Sequence, residues 1–129
     1  MRRIVIDPSG LLTWFDGAAG GRSLRSEYEQ GLLGVISHRD LTAHTLDALA
    51  ASRQLPTDHL VRVAAEVDRL GFELREPSVV ELSSWLERGL SVDQAGYAAL
   101  ATSLDLRLVT ADQMMLRIAA TVARSPADG

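Results

Sequence analysis

The chain has 129 residues, 47% of them hydrophobic and 23% charged, which fits one domain with a real core and leaves too little for two. A formal net charge of −4 gives no bulk attraction for a polyanion, so a nucleic-acid partner does not follow from charge. The absence of cysteine excludes disulfides and thiolate metal sites, and no apolar run is long enough to span a bilayer.

Residues 1–6 lack the apolar stretch of a secretory leader, so the expected location is the cytoplasm. All thirteen basic residues are Arg, and Lys and Asn are both missing. That bias reads as a GC-rich genome rather than as Arg chosen for forked phosphate contacts.

In chain order, Arg3-Ile4-Val5-Ile6-Asp7 is an apolar run closed by Pro8, the pattern of a buried strand. Ser9 suits an N-cap for the apolar turn Leu11, Leu12, Trp14 and Phe15. Gly17 to Gly21 reads as a flexible break, and residues 23–33 as a helix. Gly34-Val35-Ile36-Ser37 is the second strand, followed by a helix from Leu41 to Ser52. Pro56-Thr57-Asp58 reads as a loop and cap. Leu60, Val61, Val63, Ala64, Val67 and Leu70 then recur at helical spacing, with Gly71 as the stop.

Phe72 to Arg75 is a third strand. Ser78 with Glu81 three residues on predicts a capping box, and Val79, Leu82, Trp85 and Leu86 form the apolar face behind it. A further helix begins at Ser91 and runs to about Leu104. Leu106 to Thr110 is the last clear strand, and Met114 to Val122 the last helix. Strands alternating with helices predict an α/β fold: a three-layer α/β/α sandwich around a mainly parallel sheet. The expected domain is residues 1–123, with 124–129 a frayed tail.

Ligands of an open parallel sheet bind at the carboxyl ends of its strands, near a switch in strand order. Asp7 and Asp112 both stand at such ends. Each alone has an ordinary reading as a cap or turn residue. Together, two carboxylates from distant strands could converge on Mg²⁺ or Mn²⁺. His38, His44 and His59 are scattered, and no pair of them has metal-ligand spacing. Trp14, Phe15 and Trp85 read as core or interface. Neither a phosphate-binding P-loop nor a nucleophile elbow is present.

Ile4-Val5-Ile6-Asp7-Pro8-Ser9 resembles the opening strand of PIN domains. Leu90 to Asp112, with Tyr97-Ala98-Ala99-Leu100-Ala101 and Val109-Thr110-Ala111-Asp112 inside it, is similar to the family's second signature. The resemblance covers nearly the whole chain and is nearest to VapC toxins. It implies a PIN-like fold and a metal-dependent endoribonuclease, the toxin of a toxin–antitoxin pair. In that reading Asp7 and Asp112 hold Mg²⁺ or Mn²⁺ while Ser9 and Thr110 orient the ion or its waters. The implied partners are an RNA substrate, an antitoxin that inserts an Arg into the acidic groove, and a second copy in a homodimer.

The same resemblance implies four acids, and two of those positions read differently here. Counting back from Leu49 gives His44 in place of a Glu, and from Tyr97 gives Gln94 in place of an Asp. Asp93 and Asp47 are possible stand-ins, with Asp93 pointing about 100° away from Gln94 on an ideal helix. The alternative reading is therefore a catalytically degenerate PIN domain that binds RNA or protein. Ser125 to Gly129 does not read as the short strand that the family commonly adds.

Overall fold

The computed structural model describes residues 1–51 and 59–128, so the expected loop and cap at residues 56–58 lie outside the described residues. The elements run β1 (Arg2–Ile6), α1 (Pro8–Asp16), α2 (Ala19–Glu29), β2 (Leu33–His38), α3 (Leu41–Ala51) and α4 (His59–Leu70). They continue with β3 (Glu73–Arg75), α5 (Val79–Glu87), α6 (Val92–Leu104), β4 (Arg107–Val109), α7 (Gln113–Ile118) and β5 (Ala123–Arg124). The five strands form one sheet in the order β3-β2-β1-β4-β5, with every pairing parallel. Helices pack on this sheet to give the expected three-layer α/β/α sandwich.

Strand order explains the sequence pattern. β1 is central, and Ile4, Val5 and Ile6 are all buried, because a strand covered on both faces tolerates no alternation. β3 lies at an edge and is exposed throughout. The chain first builds outward from β1 through β2 to β3, then returns to place β4 on the other side of β1. The switch point therefore lies between the carboxyl ends of β1 and β4.

α6 is the most enclosed helix. Its residues from Ala95 to Ala101 are all buried, since it packs on β1, β2 and β4 while α5 covers its other side. Small side chains permit contact with both neighbours. Trp85 on α5 joins the two helices by donating its Nε1–H to Thr102 Oγ1 at 3.1 Å. A second brace is the trio Trp14, Tyr28 and Phe72, with edge-on ring centroids 5.1 to 5.6 Å apart. Tyr28 also donates its hydroxyl to the Leu70 carbonyl.

Local signals place most elements correctly, with four differences. Asp7, not Ser9, is the N-cap of α1, because Pro8 takes the first helical position, where its missing N–H costs nothing. α2 begins at Ala19, inside the expected glycine break. Gly21 lies so close to α1 that an added Cβ would stand 2.2 Å from the Thr13 carbonyl oxygen, so it serves helix packing rather than flexibility. Ser78 forms one half of its expected box by accepting from Glu81 N at 3.5 Å. The complete box is at Ser91, where both reciprocal bonds with Gln94 form.

The fourth difference is at the carboxyl end. α7 stops at Ile118, and the chain then forms β5, whose Arg124 falls within the segment expected to fray. The exposed backbone of β4 needs partners. Leu108 N and Thr110 N find them in the carbonyls of Val122 and Arg124, each at 2.9 Å. Pro126 and Ala127 then rest against Gly20 of α2. The edge strand that residues 125–129 did not announce is thus supplied two residues earlier.

Gly10 tests the seating of α1 over the sheet end. A Cβ there would meet the Val109 carbonyl oxygen at 2.5 Å, and backbone cannot yield as a side chain tip can. Gly10→Ala should cost about 1–3 kcal/mol, read as a lower urea midpoint with unchanged slope.

Candidate functional site

The two acids singled out by sequence meet at the switch point. Asp7 caps α1 from the end of β1: its Oδ1 accepts from Gly10 N and from Ser9 Oγ, each at 2.8 Å. Its Oδ2 accepts from Thr110 Oγ1, at the end of β4, at 2.5 Å. Ser9 Oγ accepts from Ala111 N at 2.9 Å and lies 3.1 Å from Thr110 Oγ1. Thr110 Oγ1 also accepts from Asp112 N at 3.1 Å. Ser9 and Thr110 therefore tie the two strand ends together, as well as flanking Asp7.

Burial pushes the Asp7 carboxyl above the usual range for an aspartate. Hydrogen bonds from Thr110, Gly10 and Ser9 oppose the rise, and the Asp112 charge adds to it.

Asp112 is the N-cap of α7. Its Oδ1 accepts from Met114 N at 2.9 Å and Met115 N at 3.2 Å. Its Oδ2 accepts from Gln94 Nε2 at 2.9 Å. Because Gln94 Oε1 is held by Ser91 N at 3.1 Å, the amide has one sensible orientation, with its N–H aimed at Asp112. An uncharged donor thus lies where a cation would compete for that oxygen.

His44 fills the neighbouring position from α3. Its Nδ1 is 2.8 Å from Tyr97 Oη, and its Nε2 is 3.4 Å from Asp93 Oδ1. Asp93 accordingly turns toward His44, with its side chain 64% exposed, and Asp47 is exposed on α3. Burial also raises the Tyr97 phenol well above its ordinary range, so it stays neutral.

The structure adds His38, which spacing along the sequence does not single out. Its ring centroid lies 5.3 Å from that of His44 and 5.5 Å from that of Tyr97. Its Nδ1 accepts from Asp40 N at 3.0 Å. Burial holds its pKa below the usual value, and the nearby His44 lowers it further while Asp40 opposes. Its place at the carboxyl end of β2 is the available signal, the same one that marks Asp7. His59 lies apart, beside a groove shared with Phe15 and Leu49.

His38 and His44 line a cavity of about 300 Å³ together with Asp40, Glu76, Asp93 and Arg39. Arg39 pairs with both Glu76 and Asp40. The site therefore has two parts: a hydrogen-bonded pair of acids, and an acidic cavity floored by histidines. The donor set does not fit Mg²⁺ or Mn²⁺. A hard cation needs dense anionic oxygen, whereas both Asp7 oxygens are engaged by hydrogen-bond donors and Asp112 Oδ2 is shared with the Gln94 amide. Among the described residues no group of three or more His, Cys, Asp or Glu is placed to hold a metal ion.

No protein-family model matches the chain, and no curated protein does. A solved structure does: the crystal structure of PAE2754 from Pyrobaculum aerophilum. It shares 22% sequence identity at a TM-score of 0.69, over 97% of this chain and 90% of that one. At that identity the likeness concerns the fold alone, leaving chemistry to the residues described above.

The geometry makes two outcomes testable. The folded state holds the Asp7 proton more tightly than the unfolded chain does. Between about pH 4 and the raised value, stability from this group therefore falls as pH rises. Asp7→Asn keeps the oxygen that accepts from Gly10 N and Ser9 Oγ, removes the charge and turns an N–H₂ toward the Thr110 hydroxyl, so whatever that contact costs, its stability relative to the parent should improve as pH rises from about 4 to 7. Urea denaturation at the two pH values measures this, and a difference that is constant or moves the other way would sink it. Replacing His44 by Glu and Gln94 by Asp together should lower stability without metal, through carboxylate repulsion, and produce a Mn²⁺-dependent rise in Tm. The parent should show no such rise.

Proposed function

We propose that the chain is a PIN-like domain that works by binding a partner protein, its nuclease chemistry having degenerated. The observation that carries this reading is the pair of bonds made by Gln94 and His44. Gln94 satisfies Asp112 without a cation, and His44 bridges Tyr97 and Asp93. Both positions are those at which the resemblance implies acids, and both are occupied by groups that stabilise the site without a metal.

Surface character favours protein over RNA. The cavity's three acids, Asp40, Glu76 and Asp93, outnumber its one guanidinium, Arg39, which Asp40 and Glu76 already engage, so its field disfavours phosphate. Val92 and Pro77 line the same cavity, and Val79 and Val80 close by on α5 are 75% and 77% exposed. An acidic hollow with apolar residues beside it fits a segment that presents an Arg or Lys between aliphatic side chains. In a toxin–antitoxin setting that segment would belong to the antitoxin. The homodimer implied by the resemblance is part of the same proposal, and light scattering reads it directly.

A metal-dependent ribonuclease is the second reading. It rests on the convergence of Asp7, Ser9, Thr110 and Asp112, which is what that chemistry would require of this end of the sheet. The two separate cleanly. Under the binding reading, labelled RNA incubated with Mg²⁺ or Mn²⁺ stays intact. A short amphipathic peptide with one central Arg binds, and Asp93→Asn with Asp40→Asn weakens it about tenfold, or about 1.4 kcal/mol. Cleavage that needs the metal and disappears in Asp7→Asn would overturn this reading in favour of the nuclease.

A further inference from the structure

His38 closes β2, just before α3 begins at Leu41. Its Nδ1 accepts from Asp40 N at 3.0 Å. The Asp40 carbonyl in turn accepts from His44 N at 2.9 Å, in the first turn of α3. One imidazole lone pair therefore seats the residue from which α3, with His44 on it, sets out. The other edge of the ring lies against α6, where a Cβ on Gly96 would stand 3.0 Å from Cδ2 and 3.4 Å from Nε2. With its side chain 15% exposed, the ring is still within reach of a solvent proton.

The bond to Asp40 N needs a neutral ring. A proton on Nδ1 would set one N–H against another, and Asp40 Oδ2, 3.9 Å away, would be the acceptor for it. The charge balance of the cavity changes with that proton. Three carboxylates and one guanidinium line it, so two negative charges remain while both histidines are neutral. Each protonated ring cancels one of them.

Charged and titratable groups face His38 from each neighbouring element. Arg39 and Asp40 follow it, Arg75 is its register partner on β3, and Glu76 shares its cavity. α3 brings His44, and α6 brings Tyr97 and Asp93. Asp7 lies just past the end of β1, the strand beside β2. Burial holds the ring below the usual imidazole value; His44 and Arg39 add to this, while Asp40 and Asp93 oppose it. The stability contributed by neutral His38 is thus fully present above about pH 6.5 and is lost as pH falls through the lower folded value.

We infer that protonation of His38 is a switch that releases a cationic partner segment from the acidic cavity. The switch rests on the binding reading of that cavity. With the ring neutral, the acids outnumber the cations and attract an Arg or Lys. With the ring protonated, the new charge repels that Arg or Lys and draws the Asp40 carboxylate to itself. Tyr97 takes no part, because burial keeps its phenol neutral throughout this range.

The test is peptide binding to the full chain at pH 7.5 and 5.5, at constant ionic strength. The probe is a short amphipathic peptide with one central Arg, blocked ends and no His, Asp or Glu, so only the protein titrates. Its affinity should fall about fivefold between the two values. In His38→Asn an amide oxygen replaces Nδ1 as acceptor and takes up no proton. Whatever the affinity of that variant at pH 7.5, its ratio between the two values should shrink to about twofold. His44 and Asp7 titrate in parent and variant alike, so the comparison isolates His38. His38→Gln, checked with the first variant for a retained thermal transition, should shrink the ratio in the same way. In the free parent chain, the Asp40 amide resonance should titrate with the midpoint of the His38 ring. A ratio that neither substitution changes, or an Asp40 amide that does not follow the ring, overturns the switch and leaves the binding reading standing. A peptide that binds the folded chain at neither pH sinks the binding reading, and the switch with it.

Discussion

One buried carboxylate organises the centre of this protein. Asp7 accepts from the first turn of α1, from Ser9 and from Thr110 at the end of β4. It therefore fixes where the first helix starts and how two adjacent strand ends meet. Without those three donors its burial would be prohibitive, since an unpaired charge in the interior is costly. With them, burial still wins and the carboxyl remains reluctant to ionise. Its hydrogen bonds give Asp7 a structural part in the fold.

The neighbouring positions are held by hydrogen bonds in the same way. A cluster of acids without a cation would repel itself. Here Gln94 donates an amide proton to Asp112, while His44 reaches both Tyr97 and Asp93. Repulsion is replaced by hydrogen bonds, and α3, α6 and α7 are joined through uncharged or compensating groups. Further negative charge lies outward at Asp40, Glu76 and Asp93, around the cavity that His38 and His44 also line.

Much of the fold is legible in the order of the amino acids. The apolar run Ile4-Val5-Ile6, the cap residues Ser78 and Ser91, and the alternation of strands and helices follow from local physics. So does the convergence of Asp7 and Asp112, because strand ends in a parallel sheet share one side. The short β5 is hidden, since two residues carry no periodic signal and pairing depends on the open edge of β4. The start of α2 is masked by Gly20 and Gly21. Those glycines mark close approach to the tail and to α1, a property of neighbours distant in the chain.

The sequence by itself therefore determined element order, the parallel sheet and the two acids at its carboxyl end. These depend on burial pattern and capping, which act within a few residues. Only the tertiary structure decided what the acids meet. His38, His44 and Tyr97 come from β2, α3 and α6, and their grouping depends on helix phase and on how the helices sit against the sheet. The aim of the Gln94 amide was likewise set by Ser91 behind it and by Asp112 across the crevice. Composition could not foresee that a conservative-looking amide would occupy the oxygen a cation would need.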